Sequence, residues 1–414
     1  MGRSELSFTK NDYHSCEVKT MEIRPGIHWI GVRDPDLEIF DVIIPTEYGT
    51  TYNSYLVEAS EPVVIDGVKK EFEDEWFAKL AERIDLRDLR HVIVNHTEPD
   101  HSGSIKELLR RAPHVVVHGT RPALQFLSEQ VNMDFNKHVV GENDVLDLGD
   151  RTLRFIMAPF LHWPDTMWSY LEGEGVLFTC DGFGSHFCFP EGKILASQQE
   201  VDFTGAVEYY FDKIMGPFKP KVREAVAKLD GLNLEMIATG HGPILDSELE
   251  RFIRLYQEWS WEQERAEQKR IVIAYASAYG HTKRMAELIA EGAARNSKVD
   301  VVLLDAASAG PGEIEEAVSS FDAIILGSPT INADAVYPVW RVVEAISAIT
   351  SKGKAAAVFG NYGWSGEAVA LLEERLEKMR LVVGYPGLKV RFGLTEEDEE
   401  RCRLMGETVA ESIT

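Results

Sequence analysis

Six consecutive residues, His96-Thr97-Glu98-Pro99-Asp100-His101, put four side chains able to ligate a metal into one loop. The apolar run 91–95 before them reads as a strand, so the loop opens at a strand end. Side chains alternate in an extended stretch, which turns His96, Glu98 and Asp100 to one side, and a turn at Pro99 and Asp100 swings His101 round to join them. So many ionisable groups in one turn repel each other unless a cation holds them. The pattern points to a metal; the plain alternative is an exposed polar loop.

Three more candidates share this placement. His162 follows the apolar run 153–158, Asp181 follows 176–180, and His241, between Gly240 and Gly242, follows 236–240. Taken singly, each is an ordinary turn or core residue; together they are what strand ends converging on one site would supply. His114, His118 and His138 have no partners at ligand spacing and read as structural or surface groups. His186, five residues past Asp181, is ambiguous: it reads either as a structural group or as a neighbour of the open face of the site.

A second chemical loop lies near the other end. After the strand 271–275 come Ala276-Ser277-Ala278-Tyr279-Gly280-His281-Thr282 and a helix over 282–294. A strand, a small hydroxyl-bearing loop and a helix N-terminus make an anion cradle, with backbone N–H groups facing the anion. The Gly-Lys-Ser/Thr of a nucleoside triphosphatase and the GxGxxG fingerprint are both missing. Strand ends at 323–327 and 355–359 lead into Ser328-Pro329-Thr330-Ile331-Asn332 and Gly360-Asn361-Tyr362-Gly363-Trp364-Ser365-Gly366. Ligands of open α/β sheets bind at such carboxyl ends, where glycines admit close approach and Tyr362 and Trp364 offer stacking faces.

These loops require two differently built scaffolds. At 414 residues the chain exceeds one ordinary domain. Up to about residue 265 it carries short β-branched runs broken by Gly, Pro, Asn and Asp; beyond it, strands and helices alternate in a βαβ rhythm that implies a parallel, doubly wound sheet. Between them 246–270 reads as a helix with Leu249, Phe252, Ile253 and Tyr256 on one face, its polar end 262–270 serving as linker. The expected domains are 1–265 and 266–414. With 43 Lys and Arg against 68 Asp and Glu, the net charge of −25 disfavours nucleic acid and anionic membrane surfaces. The four cysteines, Cys16, Cys180, Cys188 and Cys402, show no CxxC spacing, and neither an export signal nor a membrane-length apolar run is visible. The expected location is the cytoplasm.

The order HxExDH, distant His, distant Asp, distant His resembles the dinuclear site of the metallo-β-lactamase fold, whose hydrolases carry HxHxDH. Glu98 in place of the second histidine resembles the flavodiiron proteins, or A-type flavoproteins. The segments Gly49-Thr50-Thr51-Tyr52-Asn53-Ser54-Tyr55-Leu56 and Leu161-His162-Trp163-Pro164-Asp165 extend the likeness. The resemblance implies an αββα metallo-β-lactamase-like sandwich followed by a flavodoxin-like domain. By it, His96, Glu98 and His162 would hold one iron and Asp100, His101 and His241 the other, with Asp181 bridging. An added carboxylate is a hard anionic donor that suits iron through two oxidation states. The C-terminal loops resemble those of flavodoxins. They imply an FMN site built from Ser277, Ala278, Tyr279, Gly280, His281 and Thr282, then Ser328, Pro329, Thr330 and Asn332, then Gly360, Asn361, Tyr362, Gly363, Trp364, Ser365 and Gly366.

The implied function is reduction of dioxygen to water, of nitric oxide to nitrous oxide, or of both, with electrons passing from FMN to two irons. The resemblance further implies a head-to-tail homodimer, or a dimer of such dimers, and an external donor such as a rubredoxin or a reduced deazaflavin. Lys69-Lys70 and Lys219-Pro220-Lys221 are candidate docking sites for an acidic donor, or ordinary solvated lysines. Two other readings remain at this level. One is a zinc hydrolase with a fused flavodoxin module, which Glu98 disfavours; the other is a pure flavin electron carrier on a vestigial scaffold, which the full set of seven ligand types disfavours.

Overall fold

A computed structural model describes residues 19–261 and 268–414. Cys16, the chain start and the linker stretch 262–267 lie outside the described residues. The chain divides into two compact units between residues 262 and 263.

The N-terminal unit contains two larger sheets. One has seven strands, in the order Met21–Arg24, Ile27–Trp29, Tyr55–Val57, Val63–Ile65, His91–Ile93, Val116–Gly119 and Asn136–Val139; the other has five, from Val145–Asp147 through Thr152–Met157, Met167–Leu171 and Val176–Cys180 to Met236–Thr239. Strand period decides the layering. Val63, Ile65 and Ile93 face a core that includes Phe155, Val176 and Phe178 of the other sheet, while Val64 and Val92 turn to the opposite face with Trp76, Leu80 and Leu108 of the covering helices. Leu177 and Ile237 likewise turn outward, into the cluster that holds Phe211, Val222 and Tyr256. Helices therefore cover both outer faces, an αββα sandwich.

The C-terminal unit has five parallel positions in the order Val299–Asp305, Lys269–Tyr275, Ala323–Gly327, Ala355–Tyr362, then Val382–Val383 and Leu388–Arg391 side by side in sequence beside the fourth strand. This 2-1-3-4-5 order is the flavodoxin-like doubly wound arrangement. Strand residues are apolar on both sides because both faces are covered: Ile271 and Ile273 meet helices His281–Ala293 and Glu396–Ile413, while Val272 and Ala274 meet the cluster of Ile314, Val339 and Leu372. The first pair of helices crosses backbone to backbone, since a Cβ on Gly292 would stand 2.0 Å from the Arg403 carbonyl oxygen.

Two sequence expectations need correction. The helix read over 246–270 is Leu249–Ser260, and Lys269 and Arg270 already belong to a strand; charged helix formers extended the pattern past its real end. Residues 96–101 are not extended throughout. Pro99–Ser102 forms a helical turn with Pro99 at its first position, so Asp100 and His101 reach inward from a helix start rather than by strand alternation.

Candidate metal centre and flavin loops

All seven candidate ligands come together at one end of the N-terminal unit. Glu98 Oε2 lies 2.8 Å from His162 Nε2 and 3.3 Å from His96 Nε2. Asp100 Oδ2 lies 3.1 Å from His241 Nε2 and 3.3 Å from His101 Nε2. Asp181 divides itself between these sets. Its Oδ2 stands 3.4 Å from His96 and 3.6 Å from His162, while its Oδ1 stands 3.1 Å from His101 and 3.5 Å from His241. The result is two adjoining clusters, His96-Glu98-His162 and Asp100-His101-His241, each in reach of one Asp181 oxygen.

In His96 and His241 the second nitrogen fixes which atom the ring presents. His96 Nδ1 faces the Asp165 carboxylate at 3.2 Å, and Asp165 also accepts from the backbone N–H of Thr97 at 2.8 Å and from its hydroxyl at 2.7 Å. His241 Nδ1 donates to the Thr51 carbonyl at 2.6 Å. Both Nε2 lone pairs are thereby turned into the site. The glycines around His241 answer to packing: a Cβ on Gly240 would lie 2.8 Å from the His101 ring, and Gly242, at φ +74°, passes so close to Ser185 that a Cβ would collide with its hydroxyl. Tyr210, on the helix Thr204–Tyr210, donates to Asp181 Oδ1 at 2.8 Å. Asp165, Thr51 and Tyr210 were not singled out as functional from sequence.

The electrostatics describe carboxylates without a compensating cation. Burial opposes charge on the imidazoles, yet hydrogen bonds to Asp165 and Glu98 raise His96, and those to Asp100 and Asp181 raise His241 to about 10. Burial also opposes charge on Glu98 and Asp181, but their histidine neighbours hold both well below the usual carboxylate range. A bound metal would balance the same carboxylates while leaving the imidazoles neutral. Among the described residues Asp100 Oδ1 is buried with no hydrogen-bond partner, and Asp100 Oδ2, Asp181 Oδ2 and His241 Nε2 make only the close, poorly aligned approaches already given, which marks them as ligand atoms in waiting. Four imidazoles with three carboxylates form a donor set that fits a pair of iron ions.

Around this cluster lie groups outside the ligand set. Burial and His241 push buried His186 down to about 3. Asp41, at φ +48° on the hairpin of Ile39–Phe40 and Ile44–Pro45, has its carboxyl raised to about 6 by burial and by Glu98. Lys69, Lys70 and Lys106 line a cavity of about 610 Å³ that also touches Glu98 and Asp100. Lys219 and Lys221 lie instead on the helix Lys219–Ala227.

In the C-terminal unit, Tyr275, Gly327 and Phe359 are in register across three neighbouring strands, so the loops that follow them emerge side by side. In the first loop Gly280 has φ +86° and donates its N–H to the Ser277 hydroxyl at 3.1 Å; Ala278 and Tyr279 form its outer edge, with Tyr279 91% exposed. His281 and Thr282 begin a helix with no side-chain cap, so its first N–H groups are available to an anion. That opening fits the phosphate of FMN. In the second loop the Ser328 hydroxyl is engaged by the Pro329 carbonyl and the Val336 N–H, Thr330 accepts from the Ala368 N–H, and Asn332 turns at φ +54°. Gly360, Asn361 and Tyr362 belong to the strand itself, and the Asn361 amide donates to the Val390 and Phe392 carbonyls. Gly363, Trp364, Ser365 and Gly366 form the third loop, with Trp364 94% exposed. Ser328 and Asn361 thus hold the loops' backbone by their side chains.

Known proteins share this pairing. The ODP family beta lactamase profile matches residues 50–242 and the flavodoxin profile residues 273–406. A type A flavoprotein of Rhodobacter capsulatus is 41% identical over 399 residues, covering 95% of this chain and 91% of its own length. The flavo-diiron protein FprA2 of Clostridium acetobutylicum is 38% identical, covering 96% and 100%. An anaerobic nitric oxide reductase flavorubredoxin of Escherichia coli is 32% identical, covering 94% and 81%. Among solved structures, rubredoxin oxygen:oxidoreductase of Desulfovibrio gigas superposes with a TM-score of 0.68 at 28% identity, covering 95% and 98%. By identity sustained over nearly the whole length of these relatives, the chain belongs to the type A flavoprotein, or flavodiiron, family.

Proposed function

We propose that this protein is a flavodiiron reductase that carries electrons from FMN to a non-haem diiron site and there reduces dioxygen, nitric oxide or both. His96, Glu98 and His162 would hold one iron and Asp100, His101 and His241 the other, with Asp181 in reach of both sets. Residues 1–265 form the metal domain and 266–414 the flavin domain. The observation that carries the reading is Asp181, whose two oxygens each serve a different cluster. Bound iron pairs supply redox equivalents and two adjacent positions for a small substrate.

The chain's own residues supply the rest. Asp165 and the Thr51 carbonyl orient the His96 and His241 rings, and Tyr210 holds Asp181 from outside the ligand set. Phe40 sets its ring edge-on to His241, with centroids 5.6 Å apart. The uncapped start of His281–Ala293 with Ser277 and Thr282 would bind the FMN phosphate, and Tyr362 and Trp364 would offer the flavin ring aromatic faces. A head-to-tail dimer sets the flavin domain of one chain against the metal domain of another. Electrons enter from an external carrier of rubredoxin or reduced deazaflavin type.

Anaerobic reduction followed by stopped-flow mixing tests this. Flavin reoxidation on adding dioxygen or nitric oxide, with two irons per chain, is the expected result. Two zincs per chain with thioester or lactone hydrolysis would overturn it, and full activity of a strict monomer at high dilution would overturn the dimer.

A further inference from the structure

His186 has no place in the ligand set, yet it is built into its wall. Its side chain is buried at 3% exposure, and its Nε2 has no hydrogen-bond partner among the described residues. Its Nδ1 lies 3.1 Å from the Thr50 hydroxyl, and the same hydroxyl lies 3.4 Å from His241 Nδ1. The two imidazoles are thus suspended from one point, with centroids 5.5 Å apart. His241 turns its Nε2 away from that point, toward Asp100 and Asp181. The His186 ring, whose Nδ1 faces Thr50, packs against Phe40 and Tyr210 with ring centroids 4.5 Å and 4.8 Å away, and Tyr210 itself reaches Asp181.

The proton on this ring can be located. The Thr51 carbonyl already takes the Nδ1–H of His241 at 2.6 Å, and it is only a distant acceptor, at 3.4 Å, for the Thr50 hydroxyl. The nearer acceptor for that hydroxyl is His186 Nδ1. A ring that accepts at Nδ1 carries its proton on Nε2. A buried N–H donor left unpaired is costly, and such donors are worth explaining by a ligand that completes them.

We propose that His186 Nε2–H is a hydrogen-bond donor to the small anionic ligand that the His101–His241 side of the metal centre takes, and that Thr50 is the positioning residue that fixes its tautomer. The inference rests on the metal-centre reading. It goes further by naming a group that selects for ligands able to accept a hydrogen bond.

Azide is a suitable probe. Titration of the oxidised iron-loaded protein, followed by the azide charge-transfer band, first establishes that the native centre binds anions; its failure there would count against the metal-centre reading itself. His186→Phe, which keeps the ring and removes the donor, is expected to weaken azide about 10- to 100-fold, the usual loss for a hydrogen bond to a charged group. His186→Gln restores an N–H near the Nε2 position and is expected to recover most of the affinity. Unchanged affinity in His186→Phe, or equal weakening in both variants at full iron content, would overturn the proposal. Nitrogen-15 NMR of the metal-free native protein gives a readout that needs no variant: a protonated Nε2 on His186 supports the assignment, and a protonated Nδ1 overturns it.

Discussion

Asp165 receives the Nδ1–H of His96 at 3.2 Å on one oxygen and the Thr97 backbone N–H at 2.8 Å on the other, so one buried carboxylate fixes both a ligand's ring and the loop that carries it. Asp165→Asn can keep the Thr97 bond through its carbonyl oxygen, but its amide then faces His96 Nδ1. That favours the tautomer protonated on Nε2, the wrong one for a ligand. The expected outcome is iron retention about 10- to 100-fold weaker, with the fold kept. Iron content after graded chelation, compared with circular dichroism, checks it; unchanged retention would mean that burial alone orients the ring.

Glu98 sets the chemical character of its cluster. Its carboxylate meets both His162 and His96, and exchanging it for imidazole leaves that cluster with three neutral nitrogens and Asp181. Glu98→His should therefore shift the metal held with His96 and His162 from iron toward zinc, while the Asp100 cluster keeps iron. Metal analysis of protein expressed with both metals present decides this, and two irons in the variant would refute it.

Gly280 is needed for its backbone, since nothing stands within 4 Å of where its Cβ would be and yet its φ is +86°. Gly280→Ala meets no steric contact but carries the left-handed cost of about 1–2 kcal/mol; the flavin-free loop sheds that cost by leaving the left-handed region and FMN must restore it, so FMN should bind up to roughly 5- to 30-fold more weakly. Gly312→Ala, equally uncrowded on the helix Pro311–Ser319 with no positive φ, should leave flavin affinity unchanged. Fluorescence titration of the flavin-free protein with FMN compares the two.

The residues legible in the sequence are those whose chemistry is costly without a purpose: seven ionisable groups placed after apolar runs, and a small hydroxyl loop before a helix. The doubly wound C-terminal sheet was legible too, in the βαβ rhythm of that half, whereas the αββα layering came only with the family resemblance, because strands such as 63–65 are apolar at every position. What escaped has a different cause. The Thr51 carbonyl is a backbone group that any residue type would present, Tyr210 is one aromatic among many until its helix is packed, and Asp165 acts across 69 residues of sequence. The turn at Pro99 was misread because proline ends a strand and begins a helix equally well.

His118 links the far edge of the same sheet to pH. It pairs in register with His138 on the neighbouring strand and touches His91 Nδ1 at 3.0 Å, and His91 Nε2 lies 2.8 Å from Glu61. Burial, then the charges of His91 and His138, push its imidazole down to about 3 from an ordinary 6.5. The unfolded chain therefore takes up this proton first as pH falls. The native state keeps its full advantage above pH 6.5 and loses it between 6.5 and 3, at up to about 1.4 kcal/mol per pH unit. His118→Leu removes the group, so wild type should lose about 2 kcal/mol more than the variant between pH 7 and 5. Urea unfolding of the metal-free protein at the two pH values, read on the N-terminal unit, measures that difference; parallel losses in the two proteins would show that His118 is protonated in the folded state at pH 5.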